Sequence, residues 1–358
     1  MSPLKRSALV ILVLVVAAFA YLLLFPVPIT PAVWSPPSAP TLTGVYAANN
    51  RLASTQRLFL GDGRNPEDVA LDAEGRIFAG FEDGRIIQLQ PDGTKPVVFA
   101  NTEGRPLGMV FDQPGNLIVA DAIQGLLSID KAGAIKILST GVEGSTFGCL
   151  NDLDIAQDGT IYFTQASDKY PMSKFSYDIL EHQPHGRLLA YDPKTHLTRT
   201  VLNAIHFANG VAVSPDQSFV LVVETGMYRV LRVWLTGPNQ GHSDVFIDNL
   251  PGFPDGILSN GKDKFWLALV TPRDNLLDTK LLPSPFLRKV VVRLPKFLQP
   301  APKRYSFVLG LSTDGRVVDN LQNGASDCYA EISNVVERNG ALYFGSIGES
   351  TVGKYSLK

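Results

Sequence analysis

Cysteine is nearly absent from this chain: Cys149 and Cys328 are the only two in 358 residues. They stand far apart and in no CxxC-type spacing, which excludes a metal site held by cysteine alone. Two readings of the pair stay open. They form one disulfide closing a long loop on the oxidising side of a membrane, or they are two buried thiols acting as small hydrophobes. An excess of charge of one sign is also lacking. With 32 Lys and Arg against 34 Asp and Glu the formal net charge is −2, too weak a field to wrap a polyanion, so nucleic acid is not an expected partner. Beyond the N-terminus, helical patterning is confined to long insertions, while 31 glycines and 25 prolines punctuate short alternating runs. That balance predicts an all-β fold of many short strands joined by tight turns.

An uncharged apolar run from Ala8 to Phe25 follows Lys5 and Arg6. Its length is close to what a helix needs to cross a bilayer, and the positive charge ahead of it holds the short tail in the cytoplasm. A cleaved signal peptide is the competing reading, because Ala18-Phe19-Ala20 resembles a small-x-small site, yet apolar residues continue past it through Phe25. Residues 1–25 are therefore read as tail and membrane anchor, 26–41 as a proline-rich semi-rigid spacer, and 42–358 as the folded domain. The domain is expected on the extracytoplasmic side, in a periplasm or a lumen.

Past Thr41 one phrase keeps returning: an alternating strand, a polar turn with Gly, then a second strand. The copies are DVALDAEGRIFAG (68–80), GMVFDQPGNLIVA (108–120), DLDIAQDGTIYFT (152–164), GVAVSPDQSFVLVV (210–223), GILSNGKDKFWLAL (256–269) and ISNVVERNGALYFGS (332–346). Six repeats predict a six-bladed β-propeller, and ring closure predicts that the segment from Thr43 to Leu60 lends a strand to the last blade. Two insertions break the rhythm. One, between Asp168 and Gly186, carries His182 and His185; the other, between Thr271 and Tyr305, contains FLRKVVVRLPKFLQ (286–299). Arg288, Lys289, Arg293 and Lys296 make the second amphipathic and basic, which suits an anionic membrane face, a lid over the propeller mouth, or a helix packed on the rim.

In a propeller the start of each innermost strand faces the central channel, so equivalent positions of different repeats meet there. Those positions carry Glu67, Asn151, Asn209 and Asp255. Two carboxylates and two amide carbonyls are hard oxygen donors, suited to Ca²⁺ far better than to Zn²⁺. Each motif alone is an ordinary turn signal. Their recurrence is the argument, because four converging polar groups are costly to bury without an ion.

The segment from Gly186 to Leu258, with its HFANGVAVSPDQSFVLVVE and GFPDGIL motifs, resembles the strictosidine synthase-like family, in particular its membrane-anchored adipocyte plasma membrane-associated branch. The likeness extends over nearly everything after the spacer. More distantly the chain is similar to the senescence marker/gluconolactonase proteins and the paraoxonases, six-bladed propellers with a catalytic Ca²⁺. That resemblance implies Glu67, Asn151, Asn209 and Asp255 as ligands, and a second, structural calcium at Asp68 and Asp152. The departures are informative. Leu107 stands where paraoxonases carry a histidine proposed as general base, and Gly256 follows the ligand Asp where paraoxonases and plant members have Asn. Ser333 occupies the place of the glutamate on which strictosidine synthases rely, with Glu331 two residues away.

These readings converge on hydrolysis of a small-molecule ester or lactone, an arylesterase or lactonase chemistry in which Ca²⁺ polarises the carbonyl. The candidates for proton transfer are Asp255, Glu331 and His206. Phe253, Phe265 and Trp266 are expected to line or support the pocket. The rivals are a non-catalytic propeller that binds a ligand or partner, and a condensing enzyme of the strictosidine synthase type.

Overall fold

Each repeated phrase becomes the two inner strands of a four-stranded antiparallel sheet in the computed structural model, which describes residues 3–59 and 61–357. The turn chemistry explains the phrase. Asp72 Oδ1 accepts a hydrogen bond from Arg76 N at 2.8 Å, and Asp112 Oδ1 accepts from Asn116 N at 2.7 Å. The glycine between them, Gly75 or Gly115, takes a positive φ that a side chain would strain.

The sheets follow one another along the chain as six blades. Their innermost strands are Val69–Leu71, Pro106–Phe111, Cys149–Ile155, Ala208–Val213, Gly252–Ser259 and Ile332–Arg338. The sixth blade takes three strands from the C-terminus and its outermost strand, Gln56–Phe59, from the N-terminal side. That strand pairs antiparallel with Thr351–Ser356, Gln56 opposite Lys354 and Phe59 opposite Thr351. The expected closure is therefore observed. Second strands such as Ile77–Gly80 and Phe219–Glu224 are buried along their whole length, because each sheet is covered on both faces by its neighbours.

Apolar burial is distributed around the ring. Six clusters of buried side chains each draw on two adjacent blades, one cluster per interface. Trp266 and Phe265 belong to these seams and are fully buried, Trp266 donating from Nε1 to Glu337 Oε2 at 2.6 Å. Of the two expected roles they take the supporting one: they hold blades together and line neither axial cavity. Phe253 packs edge-on against Tyr228. Cys149 and Cys328 are separate buried thiols, so no disulfide joins them.

Near the axis, carboxylates staple blade to blade. Asp68 accepts from Val69 N and, across the interface, from Met109 N, both at 2.6 Å. Asp152 accepts from Leu153 N and Val211 N, and Asp154 from Ile155 N and Val213 N.

A second compact unit comprises residues up to Pro36, Ser176–Gln183 and Asp274–Ala301. It contains an apolar helix α1 (Pro3–Leu24), most of a short helix α2 (Phe175–Glu181), and a helix α3 (Pro285–Arg293) started by Pro285 and capped by Ser284. The spacer is fastened within this unit. Thr30 donates from its N–H and its hydroxyl to Glu181 Oε1, Ala32 N donates to Glu181 O, and Trp34 N to Leu282 O. Arg288 is completely buried and donates to the carbonyls of Ala32, Leu180 and Leu282. It therefore does not belong to an exposed basic face, as the sequence pattern suggested. His182, from the first insertion, is buried and stacked on Trp34 with ring centroids 4.2 Å apart. His185, in the larger unit, faces Asp168 at 3.3 Å.

The staples generate a prediction. Asp154→Ala leaves the Val213 N–H without its acceptor beside the axis and should cost about 1 kcal/mol in urea unfolding; a loss below about 0.3 kcal/mol would show that the contact is dispensable.

Candidate metal centre

Five of the six inner strands carry a local irregularity near their start: blade two breaks register between Pro106 and Gly108, and only the short first strand, Val69–Leu71, pairs regularly. In blades three to six the pairing register breaks between Leu150 and Leu153, Ala208 and Val211, Pro254 and Ile257, and Ile332 and Val335. Such a bulge re-aims side chains that the regular pleat would send into a sheet face. The residues inside the bulges, Asn151, Asn209, Asp255 and Ser333, turn toward the axis. With Glu67 and Leu107 they form one ring that lines a small buried cavity.

Six equivalent positions thus carry Glu, Leu, Asn, Asn, Asp and Ser in blade order. The cavity offers about 10 Å³ of free space, enough for one ion or one water. The four residues singled out as ligands, Glu67, Asn151, Asn209 and Asp255, are all brought together there, and all are at least 94% buried. Among the described residues no trio of His, Cys, Asp and Glu side chains forms a metal cluster by itself; the donor set is a mixture of two acids and two amides. Further along the same strands the channel widens into a cavity of about 360 Å³, whose lining includes Asp154.

The positions after the ring are small where blades come closest. A Cβ on Gly256 would lie 2.6 Å from the Ser333 carbonyl oxygen, and one on Gly108 would lie 2.6 Å from Cα of Asp152. The glycine after Asp255, where the resemblance would allow asparagine, is thus required by the contact between blades five and six.

The electrostatics are those of too many acids in a dry place. Burial raises Glu67 above the usual carboxylate range, against the opposing pull of the Arg105 guanidinium, whose Nη2 lies 3.0 Å from Glu67 Oε2. Burial, then the Glu67 charge, raises Asp255 well above its ordinary value, although the Asn209 side chain donates to it. Asp68 is raised well above the ordinary range by burial and by Asp152, and Asp152 itself is pushed up to about 7, mainly by burial. Asp154 is pushed up to about 6 by burial. A cation at the ring would reverse this repulsion. The Nδ2 atom of Asn151 is buried there with no hydrogen-bond partner, but as a donor it does not face a cation; the fit to an ion rests on the two carboxylates and the two amide carbonyl oxygens.

Asp68 and Asp152, the acids that the resemblance gives to a second ion, each accept two backbone N–H bonds as blade staples. Of the candidates for proton transfer, only Asp255 lines the cavity. His206 lies three residues before Asn209, at the entry to blade four, with Nδ1 2.8 Å from Glu224 Oε1; Glu224 is held in turn by Arg229 Nε at 2.6 Å. Glu331 sits in a half-buried turn at positive φ, its pKa raised by burial, and does not line the cavity. Arg105 and Glu224 were not legible as site residues. Arg105 is two positions before the blade-two ring residue, and only the three-dimensional ring shows that it points at Glu67.

A six-bladed propeller with an oxygen-rich axial cavity is the class of protein these features define, and comparison with known proteins agrees. Residues 151–238 match the strictosidine synthase family, and residues 44–89 match the N-terminal strictosidine synthase-like family. The adipocyte plasma membrane-associated protein of Rattus norvegicus is 33% identical over 353 residues, covering 92% of this chain and 93% of that protein. This chain belongs to the strictosidine synthase-like family. Among solved structures, a gluconolactonase from Xanthomonas campestris superposes with a TM-score of 0.62 at 19% identity, covering 93% of this chain and 99% of the other. A calcium-binding protein, regucalcin, from Agrobacterium tumefaciens gives 0.58 at 13% identity, covering 84% and 91%. These two share the fold.

The raised carboxyls set a pH dependence. In divalent-free buffer the native state holds more protons than the unfolded chain between about pH 4 and about pH 7, since Asp152 titrates near 7 when folded and near 3.8 when unfolded. Stability should therefore fall as pH rises through that window and level off above it, read as Tm by calorimetry; a Tm that climbs from pH 4 to pH 7 would contradict the buried-acid picture.

Proposed function

We propose that this chain is a membrane-anchored, calcium-dependent hydrolase of esters or lactones. The observation that carries the reading is the convergence of Glu67, Asn151, Asn209 and Asp255, from four different blades, on one ion-sized cavity. Two acids and two amides make a hard-oxygen set of the kind Ca²⁺ takes, and the calcium-binding regucalcin and the gluconolactonase of the same fold support that choice. A bound Ca²⁺ would supply Lewis-acid polarisation of a substrate carbonyl and charge opposite a developing oxyanion. The protein's own groups have separate tasks. Arg105 and Asn209 hold Glu67 and Asp255 in place through the contacts described above. Among the proton-transfer candidates, Asp255 is the one that lines the cavity and could hold or release a proton. His206 is oriented by Glu224, whose carboxylate accepts from Nδ1 at 2.8 Å and so fixes the ring tautomer.

The anchor is α1, 22 residues without a buried side chain. Lys5 and Arg6 at its N-terminal end support a cytoplasmic tail and an extracytoplasmic propeller, and the membrane-associated name of the rat relative agrees with anchoring.

A second reading, a propeller that binds without turnover, is favoured by one specific feature: Leu107 occupies the ring and provides no base. Condensation of an amine with an aldehyde is disfavoured, because Ser333 stands at the position concerned and its hydroxyl donates to the Glu67 carbonyl.

The full-length protein in detergent should hydrolyse phenyl acetate or members of a lactone panel. Chelation should abolish turnover and Ca²⁺ restore it, while Asn209→Ala and Asp255→Ala should each lower kcat/KM by about 100-fold or more. Absent turnover together with a Ca²⁺-dependent rise in Tm would select the binding propeller. His206→Gln should lower kcat about 100-fold with unchanged Ca²⁺-dependent Tm; an unaltered rate would assign the proton transfer to Asp255 or Glu331.

A further inference from the structure

The smaller unit carries a surface that the hydrolytic reading does not use. Helix α1, at about 1.5 Å per residue, is about 33 Å long, matching a hydrocarbon core of about 30 Å. Its C-terminal carbonyls therefore emerge at the membrane surface. Two of those final carbonyls are taken by one side chain of α3: Arg293 Nε donates to Phe25 O at 2.6 Å and Nη1 to Leu22 O at 2.8 Å. A helix end leaves such carbonyls without intrahelical partners, and a cationic donor satisfies both their hydrogen bonding and the helix dipole. The contact fixes the end of α3 within one side chain's length of the point where the chain leaves the bilayer.

What α3 and the turn after it present there is apolar and basic. Phe286 and Leu298 are more than half exposed, and Phe297 is 83% exposed. Lys289 is half-buried beside them and Lys296 is exposed. No acidic residue occurs between Asp278 and Asp314, a stretch that includes Lys280, Arg288, Lys289, Arg293, Lys296, Lys303 and Arg304. Arg288 is turned inward to hold the spacer, and Arg293 caps α1. Lys289 and Lys296 are therefore the cations that α3 and its turn offer outward, next to aromatic and aliphatic side chains of interfacial type.

We propose that α3 and the Lys296–Leu298 turn form a platform that lies in the headgroup layer of the bilayer crossed by α1, with Phe286, Phe297 and Leu298 inserted and Lys289 and Lys296 on anionic phospholipid headgroups. The proposal rests on α1 being a membrane span. Continuity with the anchor selects the lipid surface as occupant, and the acid-free stretch selects anionic headgroups over zwitterionic ones. The platform adds a second point of attachment, so the smaller unit meets the membrane through α1 and through the α3 face.

The test uses the full chain reconstituted into vesicles of phosphatidylcholine alone or with 30% phosphatidylserine. An environment-sensitive fluorophore is placed on Phe297→Cys or, as a separate probe of the anchor, on Leu12→Cys. Cys149 and Cys328 are buried, and labelling of the unsubstituted chain sets the background. Quenching is measured with lipids spin-labelled near the headgroup and near the chain end. The Phe297 probe should be quenched by the shallow label, about twofold or more strongly with phosphatidylserine, and Lys289→Glu with Lys296→Glu should remove the phosphatidylserine-dependent part. A quenched Leu12 probe with an unquenched Phe297 probe overturns the platform and leaves the anchor standing. If neither probe is quenched, the anchor fails and the platform with it. Quenching of Phe297 that ignores phosphatidylserine and the charge reversal overturns recognition of anionic headgroups.

Discussion

Closure of the ring is the constraint on which the larger unit depends. Each blade has apolar side chains on both faces, and neither face is covered unless the blades on either side are present. The six apolar seams are equivalent only because Gln56–Phe59 completes the sixth sheet, bringing Leu58 and Leu52 into the seams beside blades one and six. Closure also forces the inner strands to converge, and there backbone N–H groups of one blade face the start of the next. The carboxylates of Asp68, Asp152 and Asp154 meet that need, so acids are drawn to the axis by the geometry of the fold before any ligand is considered.

The ring of site residues is superimposed on this acid-rich axis, and the combination shapes its chemistry. Glu67 and Asp255 would already be difficult to ionise in so dry a place, and the staple acids add repulsion. Arg105 is the cation in contact with Glu67, and one guanidinium does not balance five neighbouring carboxyl groups. Protons balance the excess at low pH, and a divalent ion could do so at neutral pH without disturbing the staples, whose oxygens are directed at backbone N–H groups. The same feature that destabilises the empty axis would thus favour ion binding.

Much of this was legible in the sequence. The return of a Gly-turn phrase six times specified the blades, and alignment of the phrases at their starts brought Glu67, Asn151, Asn209 and Asp255 into equivalence, because a repeat fold converts equal sequence position into equal spatial position. Features outside the repeat were not legible for the same reason. Arg105 acts from one blade on Glu67 of another, Glu224 lies at the far end of its strand from the turn phrase, and Arg288 reads as one more cation on a basic helix although its partners are carbonyls of the spacer and α2. Strand periodicity says which residues face inward, not what they meet. At Phe265 and Trp266, for example, the inward direction leads into a seam between blades and not into the channel.

The tight packing at the axis also limits how such a site can be altered. Gly108, Gly210 and Gly256 lie where any Cβ would meet the backbone of the next blade at about 2.5–2.6 Å, so the layer below the ring has little freedom to gain side chains. The ring positions instead border the small axial cavity. Of its six members, Leu107 and Ser333 stand outside the proposed oxygen donor set and yet border the same cavity. Were an ion held there, replacing either would alter what approaches it without removing a proposed donor, whereas replacing any of the other four would alter its coordination.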